Sequence, residues 1–497
     1  LIYVNGKDLS LTDFIRVAVK KEEVAVDPVC FPEIERSARH VEEIVSRSES
    51  VYGINTGFGA LATVPISIEK TKELQRNIIL SHAAGVGEPA PEEIVRGMIL
   101  YRINSLVKGY SGIRLQTIMK LVNVLNANII PVVPLQGSVG ASGDLAPLAH
   151  VAMALLGEGE VFYREKRMNA DEALLEAEIA PLEPVQKEGL ALLNGTQFIS
   201  SVLSLALYKA DRLFQWAITA ASASLEGLKG SPSPCDPRIQ ELRNYKGQRT
   251  VAKRVIELID GSAIRESHTR CSKVQDAYSL RAIPQVLGAV RDTLDYARHV
   301  LEIEINSATD NPLVFENDVI SGGNFHGEPV ALVGDFCTIA MSELGSISER
   351  RIDRLVNPLV SSLPAFLAKG EPGLNSGYMI WQYTAAALVS ENKSMCFPAS
   401  VDSIPTSAYQ EDHVSMGPIA ARKFLSVIEN DLKIVAIELM LSIRALEFLE
   451  PLTTGGKLQR TLAPLKHLLL PYSGDRYYGT DYQNILAYIA NNDVLDC

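Results

Sequence analysis

"QFISSVLSLALYKADRLFQWAITAASASLEGL", Gln197 to Leu228, decides the fold class. It can run as one helix of roughly eight turns, at 3.6 residues per turn. Two further stretches have the same character, "PQVLGAVRDTLDYARHVLEIEINSA" (284–308) and "GEPVALVGDFCTIAMSELGSISERRIDRLV" (327–356). A fourth, from Pro418 to Glu450, places Phe424, Ile428, Val435, Leu439, Ile443 and Leu446 at spacings that suit one seam. Four long helices with small residues on their surfaces predict a bundle. The expected class is mainly α, a long antiparallel helical bundle with a smaller mixed N-terminal lobe. The expected division is 1–196 for that lobe and 197–497 for the bundle and C-terminal helices.

Outside the bundle the pattern is more mixed. A short strand is expected at Leu1 to Val4, and "PEIERSARHVEEIVSRS" (32–48) is apolar at Ile34, Ala38, Val41 and Ile44/Val45, one face of a helix. "EVFYREKRMNADEALLEA" (160–177) reads as a small hairpin leading into a helix, with Asn169 or Asp171 as its cap. The breaks are long loops rich in Gly and Pro: "LKGSPSPCDP", "FLAKGEPGLNSG" and "CFPASVDSIPTSAYQEDH". Loops of that length between helices are usually functional or interfacial.

Composition narrows the function. With 47% hydrophobic and 21% charged residues the chain supports a large core. A formal net charge of -12 argues against nucleic acid or an anionic membrane as partner. The six cysteines, at 30, 235, 271, 337, 396 and 497, form no CxxC pair, and the eight histidines form no HxxxH pair. A reduced cytoplasmic setting and no dedicated metal site are therefore expected.

The chemistry centres on "GSVGASGDLAPLAH" (137–150). An anion cradle would add the lysine and Ser/Thr of GxxxxGK[ST], which are missing, and the order Gly140-Ala141-Ser142-Gly143 is not the GxSxG elbow. An ordinary turn, with Asp144 capping the next helix, stays open on these residues alone.

Together with seven other segments, the stretch resembles the aromatic amino acid ammonia-lyases, which act on histidine, phenylalanine or tyrosine. Those segments are "YGINTGFG" (52–59), "SHAAGVGEP" (81–89), "GLALLNGTQ" (189–197), "VQDAYSLR" (274–281), "DNPLVF" (310–315), "SGGNFHGEP" (321–329) and "QEDHVSM" (410–416). They span nearly the whole chain in the family's order.

The resemblance implies that Ala141, Ser142 and Gly143 cyclise autocatalytically to 4-methylideneimidazol-5-one (MIO), with no external cofactor. The Gly143 nitrogen attacks the Ala141 carbonyl carbon, and two waters leave. The residue types suit this: Gly143 has no Cβ to block a strained turn, and Ser142 brings a β-hydroxyl that can be eliminated. Asp144 matches an acid implicated in the cyclisation.

Further roles follow from the same resemblance. Arg281 would hold the substrate carboxylate as a fork, with Asn194 nearby. Tyr52 would take the β-proton and Tyr278 would assist, which requires surroundings that lower a tyrosine's ordinary pKa of about 10. The fold implied is that of a helical homotetramer whose active sites draw loops from more than one subunit.

Two positions speak to the substrate. Ser81-His82 matches the histidine-specific branch, where relatives acting on phenylalanine or tyrosine carry Phe-Leu or His-Leu. Glu411 stands where those relatives tend to have glutamine. A carboxylate suits an imidazole, with two nitrogens to satisfy, and is costly beside a phenyl ring; Glu411 is equally a candidate catalytic base toward the substrate, and the sequence leaves both roles open. Gln275 is a further imidazole partner, and Phe325 is placed to pack against the prosthetic ring. The expectation is conversion of L-histidine to trans-urocanate and ammonia, the first step of histidine degradation. The alternatives are a tyrosine or phenylalanine ammonia-lyase or 2,3-aminomutase, and an inactive helical scaffold. One departure stands out: Tyr409 occupies a place where the histidine-specific string has asparagine. It either alters ring selectivity or faces another subunit.

Overall fold

The computed structural model describes residues 1–47, 54, 56, 66–67, 70–269, 274–371 and 373–494. Helices dominate, as expected. The four long ones run Gln197–Gly227, Ile283–Glu304, Glu328–Val356 and Gly417–Glu447. By packing, the chain forms two compact units. The first comprises Leu1–Leu205, Ala297–Asp335 and Pro398–Arg422; the second comprises Ala206–Tyr296, Phe336–Phe397 and Lys423–Cys497. Each long helix thus contributes residues to both units.

The second unit is held by close helix packing. Ala217, Ala220, Ala221, Ser222, Ala223 and Ser224 are all fully buried, and a Cβ on Gly227 would stand 3.0 Å from the Ala445 Cβ. Residues this small let neighbouring side chains approach the helix backbone closely. Five of the six seam residues expected between Pro418 and Glu450 are buried, and Leu446 is half-buried.

Three of these helices meet at one buried ion pair. The Arg351 guanidinium donates to both Glu438 oxygens, at 2.5 and 2.9 Å. The Ser224 and Ser348 hydroxyls donate to the same carboxylate, so the buried charge is paired and its lone pairs are used.

Nearby, the fully buried Asp431 accepts from the Asn392 amide at 2.8 Å and lies where a Cβ on Gly345 would be. Burial raises its pKa well above the usual carboxylate range. Only the helix Glu328–Val356 is long and apolar enough to cross a membrane among the described residues. It carries Glu349, Arg350, Arg351 and Arg354, and 67% of its most apolar window is buried.

The first unit is more mixed. Ile2–Val4 pairs in parallel with Val24–Val26. The expected hairpin is present as Glu160–Tyr163 and Lys166–Asn169, with Ile130–Pro131 added as a third strand. Asn169 does hold the N-cap position of the helix Ala170–Glu176, but its side chain bonds none of that helix's amides. The helix Glu92–Leu106 is buried on almost every face, from Ile94 to Leu106.

Candidate active site

Residues 137 to 144 lead into the helix Leu145–Leu155. Two glycines shape the turn: Gly140 has φ +68° and Gly143 has φ +71°, a region where a side chain is strained. Space excludes one as well. A Cβ on Gly143 would lie 2.3 Å from the Gly195 oxygen, and one on Gly140 would lie 2.2 Å from the Ser415 hydroxyl. Gly143 and Gly195 form a parallel bridge, and the Asp144 amide donates to the Gly195 oxygen at 2.7 Å. The turn is therefore pressed against a second backbone segment, not held open for an anion.

Asp144 does not cap its own helix. Its side chain makes no cap bond there. One carboxylate oxygen instead accepts from the Ile199 amide at 2.9 Å, and the other accepts from the Ser138 hydroxyl at 3.2 Å. Ile199 lies in the first turn of Gln197–Gly227, whose free amides attract a negative group. Burial is still the larger effect on Asp144 and pushes its pKa up to about 7.

The Asn194–Gln197 segment is fixed from behind. The Arg102 guanidinium, fully buried, donates to the Asn194 carbonyl, to Gln197 Oε1 at 3.1 Å and to the Thr309 carbonyl at 3.2 Å. Burial lowers its pKa to about 10. The Thr196 hydroxyl donates to Glu304, whose pKa is raised by burial. Asn194 itself is 3% exposed, and its Oδ1 is buried without a hydrogen-bond partner. An orphaned acceptor of this kind is costly unless something else satisfies it.

Glu411 reaches the turn from a different loop. Its Oε1 accepts from the Ser142 hydroxyl at 2.9 Å, and its Oε2 accepts from the Thr406 hydroxyl at 2.7 Å. Between Thr406 and Glu411 the backbone makes an antiparallel bridge, with bonds of 2.9 and 3.3 Å. Ser407, Ala408 and Tyr409 inside that bridge have φ of 51°, 53° and 67°. For non-glycine residues the left-handed region costs about 1–2 kcal/mol each. Tyr409 itself points outward, 80% exposed. Farther along, the Met416 amide donates to the Val139 carbonyl at 2.9 Å, and Ala141, Val414 and Met416 share one apolar cluster.

His82 lies close enough to feel the Glu411 charge. Burial lowers its pKa, while a bond to the Ile78 backbone and the Glu411 carboxylate act in the opposite direction. Its Nδ1 is 3.1 Å from the Ser81 hydroxyl. Phe325 is half-buried in the loop before Glu328–Val356. The neighbouring His326 ties that loop to the Glu411 segment, with Nε2 3.2 Å from the His413 carbonyl. His326, Glu328 and His413 hold ligand-type atoms within 4.8 Å of one another, but both His326 ring nitrogens already have partners.

The remaining expected residues divide. Gln275, Tyr278 and Arg281 belong to the second unit, where the Arg281 guanidinium donates to Gln275 Oε1 and stands 5.8 Å from the centre of the Tyr278 ring. Tyr278 is 78% exposed. Tyr52 lies outside the described residues. Sequence reasoning missed Arg102, Thr406, Ser138 and Ser415. Arg102 sits in a helix with almost no polar face, so no pattern marked it, whereas Thr406 stands in the string that ends at Tyr409.

An aromatic amino acid lyase family model matches residues 9–467. The chain belongs to the aromatic amino acid lyase family. Among its relatives in that family, the histidine ammonia-lyase of Caldanaerobacter subterraneus subsp. tengcongensis is 50% identical over 479 residues, covering 96% of this chain and 94% of that one. Among solved structures, the histidine ammonia-lyase of Trypanosoma cruzi superposes with a TM-score of 0.89 at 41% identity, over 98% of this chain and 93% of that one. A tyrosine aminomutase from Streptomyces globisporus superposes with a TM-score of 0.94 at 37% identity, over 98% and 96%.

Proposed function

We propose that this lyase is a histidine ammonia-lyase that eliminates ammonia from L-histidine to give trans-urocanate, using an MIO group made from Ala141, Ser142 and Gly143. One observation carries the reading: the Ser142 hydroxyl donates to the Glu411 carboxylate at 2.9 Å, and His82 stands at the other substrate-discriminating position. Those are the two positions at which an imidazole-binding site should differ from a phenyl-binding one.

The residues fit the group. Gly143 has the positive φ and the missing Cβ that suit ring closure, and Asn194, next in sequence to the Gly195 that Gly143 bridges, carries an orphaned buried Oδ1. When formed, MIO supplies an electrophile that no ordinary side chain provides. The rest falls to the chain's own residues. The Arg281 fork binds the substrate carboxylate by charge-assisted bonds. Tyr52 takes the β-proton and Tyr278 assists, while Glu411, His82 and Gln275 orient the imidazole. Phe325 would pack against the prosthetic ring.

Tyr278 and Arg281 lie on a short helix that leaves the tyrosine exposed in the single chain, which supports sites completed between copies in a homotetramer. A cytoplasmic setting accords with the described cysteines, all free and three of them buried.

The second reading, a tyrosine or phenylalanine aminomutase or ammonia-lyase, draws support from the TM-score of 0.94 to the tyrosine aminomutase. A panel of L-histidine, L-tyrosine and L-phenylalanine separates the two. Urocanate absorbance from histidine alone is the expected result. β-Amino acid, cinnamate or coumarate without urocanate would overturn the proposal.

A further inference from the structure

We infer that Glu411 acts first on the chain itself, as the proton carrier that removes the Ser142 hydroxyl, and that Thr406 positions it for that step. The inference rests on the MIO reading above and deepens it. Ring closure between the Gly143 nitrogen and the Ala141 carbonyl carbon expels one water, which leaves Ser142 still carrying its hydroxyl. A second water must then come from Ser142, and hydroxide is a poor leaving group without a proton donor.

In the unmodified chain the group in contact with that hydroxyl is Glu411 Oε1, at 2.9 Å. The Ser142 Cα is two bonds from that Oγ, so the proton to be taken and the hydroxyl to be expelled belong to the one residue that Glu411 contacts. Glu411 takes the Cα proton and returns it to Oγ. The Cα–H electron pair becomes the Cα=Cβ bond, the Cβ–Oγ bond breaks and the hydroxyl leaves as water. The carboxylate is regenerated, and no outside reagent is consumed.

Asp144 is placed for other work. Its two oxygens are taken up by the Ile199 amide and the Ser138 hydroxyl, and no bond joins it to Ser142 Oγ. Glu411, by contrast, is held with one oxygen free for Ser142. Thr406 occupies Oε2 at 2.7 Å, and the 406–411 bridge fixes the backbone at both ends of the loop. Three successive left-handed residues, Ser407 to Tyr409, are kept in that loop, a conformation that persists only where its surroundings over-determine it. Such a loop aims one carboxylate oxygen at one hydroxyl.

The test follows the mass of the full-length chain after its synthesis, so that no turnover enters the readout. Wild type should lose two waters. In Glu411→Gln the first loss should persist and the second slow by about a hundredfold, within the range for a missing acid–base group. The product would be a closed ring with the hydroxyl retained. Loss of both waters from Glu411→Gln at the wild-type rate would overturn the inference while leaving the proposed function standing. A wild-type chain that keeps its full translated mass would overturn both.

If Glu411→Gln does not fold, Thr406→Val decides. It keeps the carboxylate and the backbone bridge but frees Oε2. Its second loss should slow by roughly tenfold, as expected when a reacting group is less well oriented, and Thr406→Ser should restore the wild-type rate. Equal rates in Thr406→Val and wild type would contradict the inference.

Discussion

At the scale of single residues, Asp144 shows how a motif is misread when only its neighbours in sequence are considered. It precedes a helix and looks like that helix's cap. Its carboxylate serves a different helix, one that begins 53 residues later at Gln197. Sequence spacing holds no sign of such a bond, because the partner amide comes from the fold.

The consequence for stability can be worked out. Burial raises the Asp144 pKa from 3.8 to about 7, so the folded chain binds that proton more tightly than the unfolded chain does. The group favours folding fully below pH 4, and that contribution is lost as pH rises through 7. At 1.36 kcal/mol per unit, the swing is on the order of 4 kcal/mol. Asp144→Asn should flatten this part of the pH profile. Denaturation midpoints measured from pH 4 to 8 for both proteins check it; parallel profiles would contradict the assigned cause.

At the scale of elements, the long helices were legible from their length and seam, while the group that fastens them was not. Phe424, Ile428, Val435, Leu439 and Ile443 fall where a buried stripe should. Glu438 and Arg351 sit on the long helices too, and nothing in their spacing marks them as buried, since buried charge is rare. They are instead fully buried and bonded to each other and to two serines.

Removing one partner leaves the other charge buried and alone. Glu438→Gln should therefore destabilise the chain by about 3–5 kcal/mol. Replacing both residues with apolar ones of similar volume should cost less than the single change. Chemical denaturation of the single and double variants measures the difference; a double variant as unstable as the single one would contradict the pairing.

The 406–411 loop was legible only in part. Glu411 stood out because a carboxylate there suits an imidazole. Thr406 and the left-handed run after it did not, because Ser407, Ala408 and Tyr409 are not residues that signal positive φ.

At the scale of the whole molecule, the family was readable because its eight segments are tied to chemistry that needs particular residue types. In the proposed cyclisation, small residues at 141 and 143 let the ring close and the hydroxyl at 142 leaves as the second water. Gly195, inside another of those segments, is the backbone that Gly143 meets. The supporting shell escaped the sequence reading. Arg102 and Ser415 act through backbone carbonyls, at Asn194 and Thr309 for the first and at Gly140 for the second, and such contacts leave no mark in residue spacing.

The proposed function turns on part of the backbone becoming a reagent, and mass reports it most directly. Intact-mass measurement of the purified full chain should find it lighter than its translated sequence by two waters, with the deficit confined to the peptide holding Ala141 to Gly143. Ser142→Ala should lack the second water and lose nearly all turnover. A wild-type chain at its full translated mass, or a Ser142→Ala variant that still turns histidine over at the wild-type rate, would contradict the account.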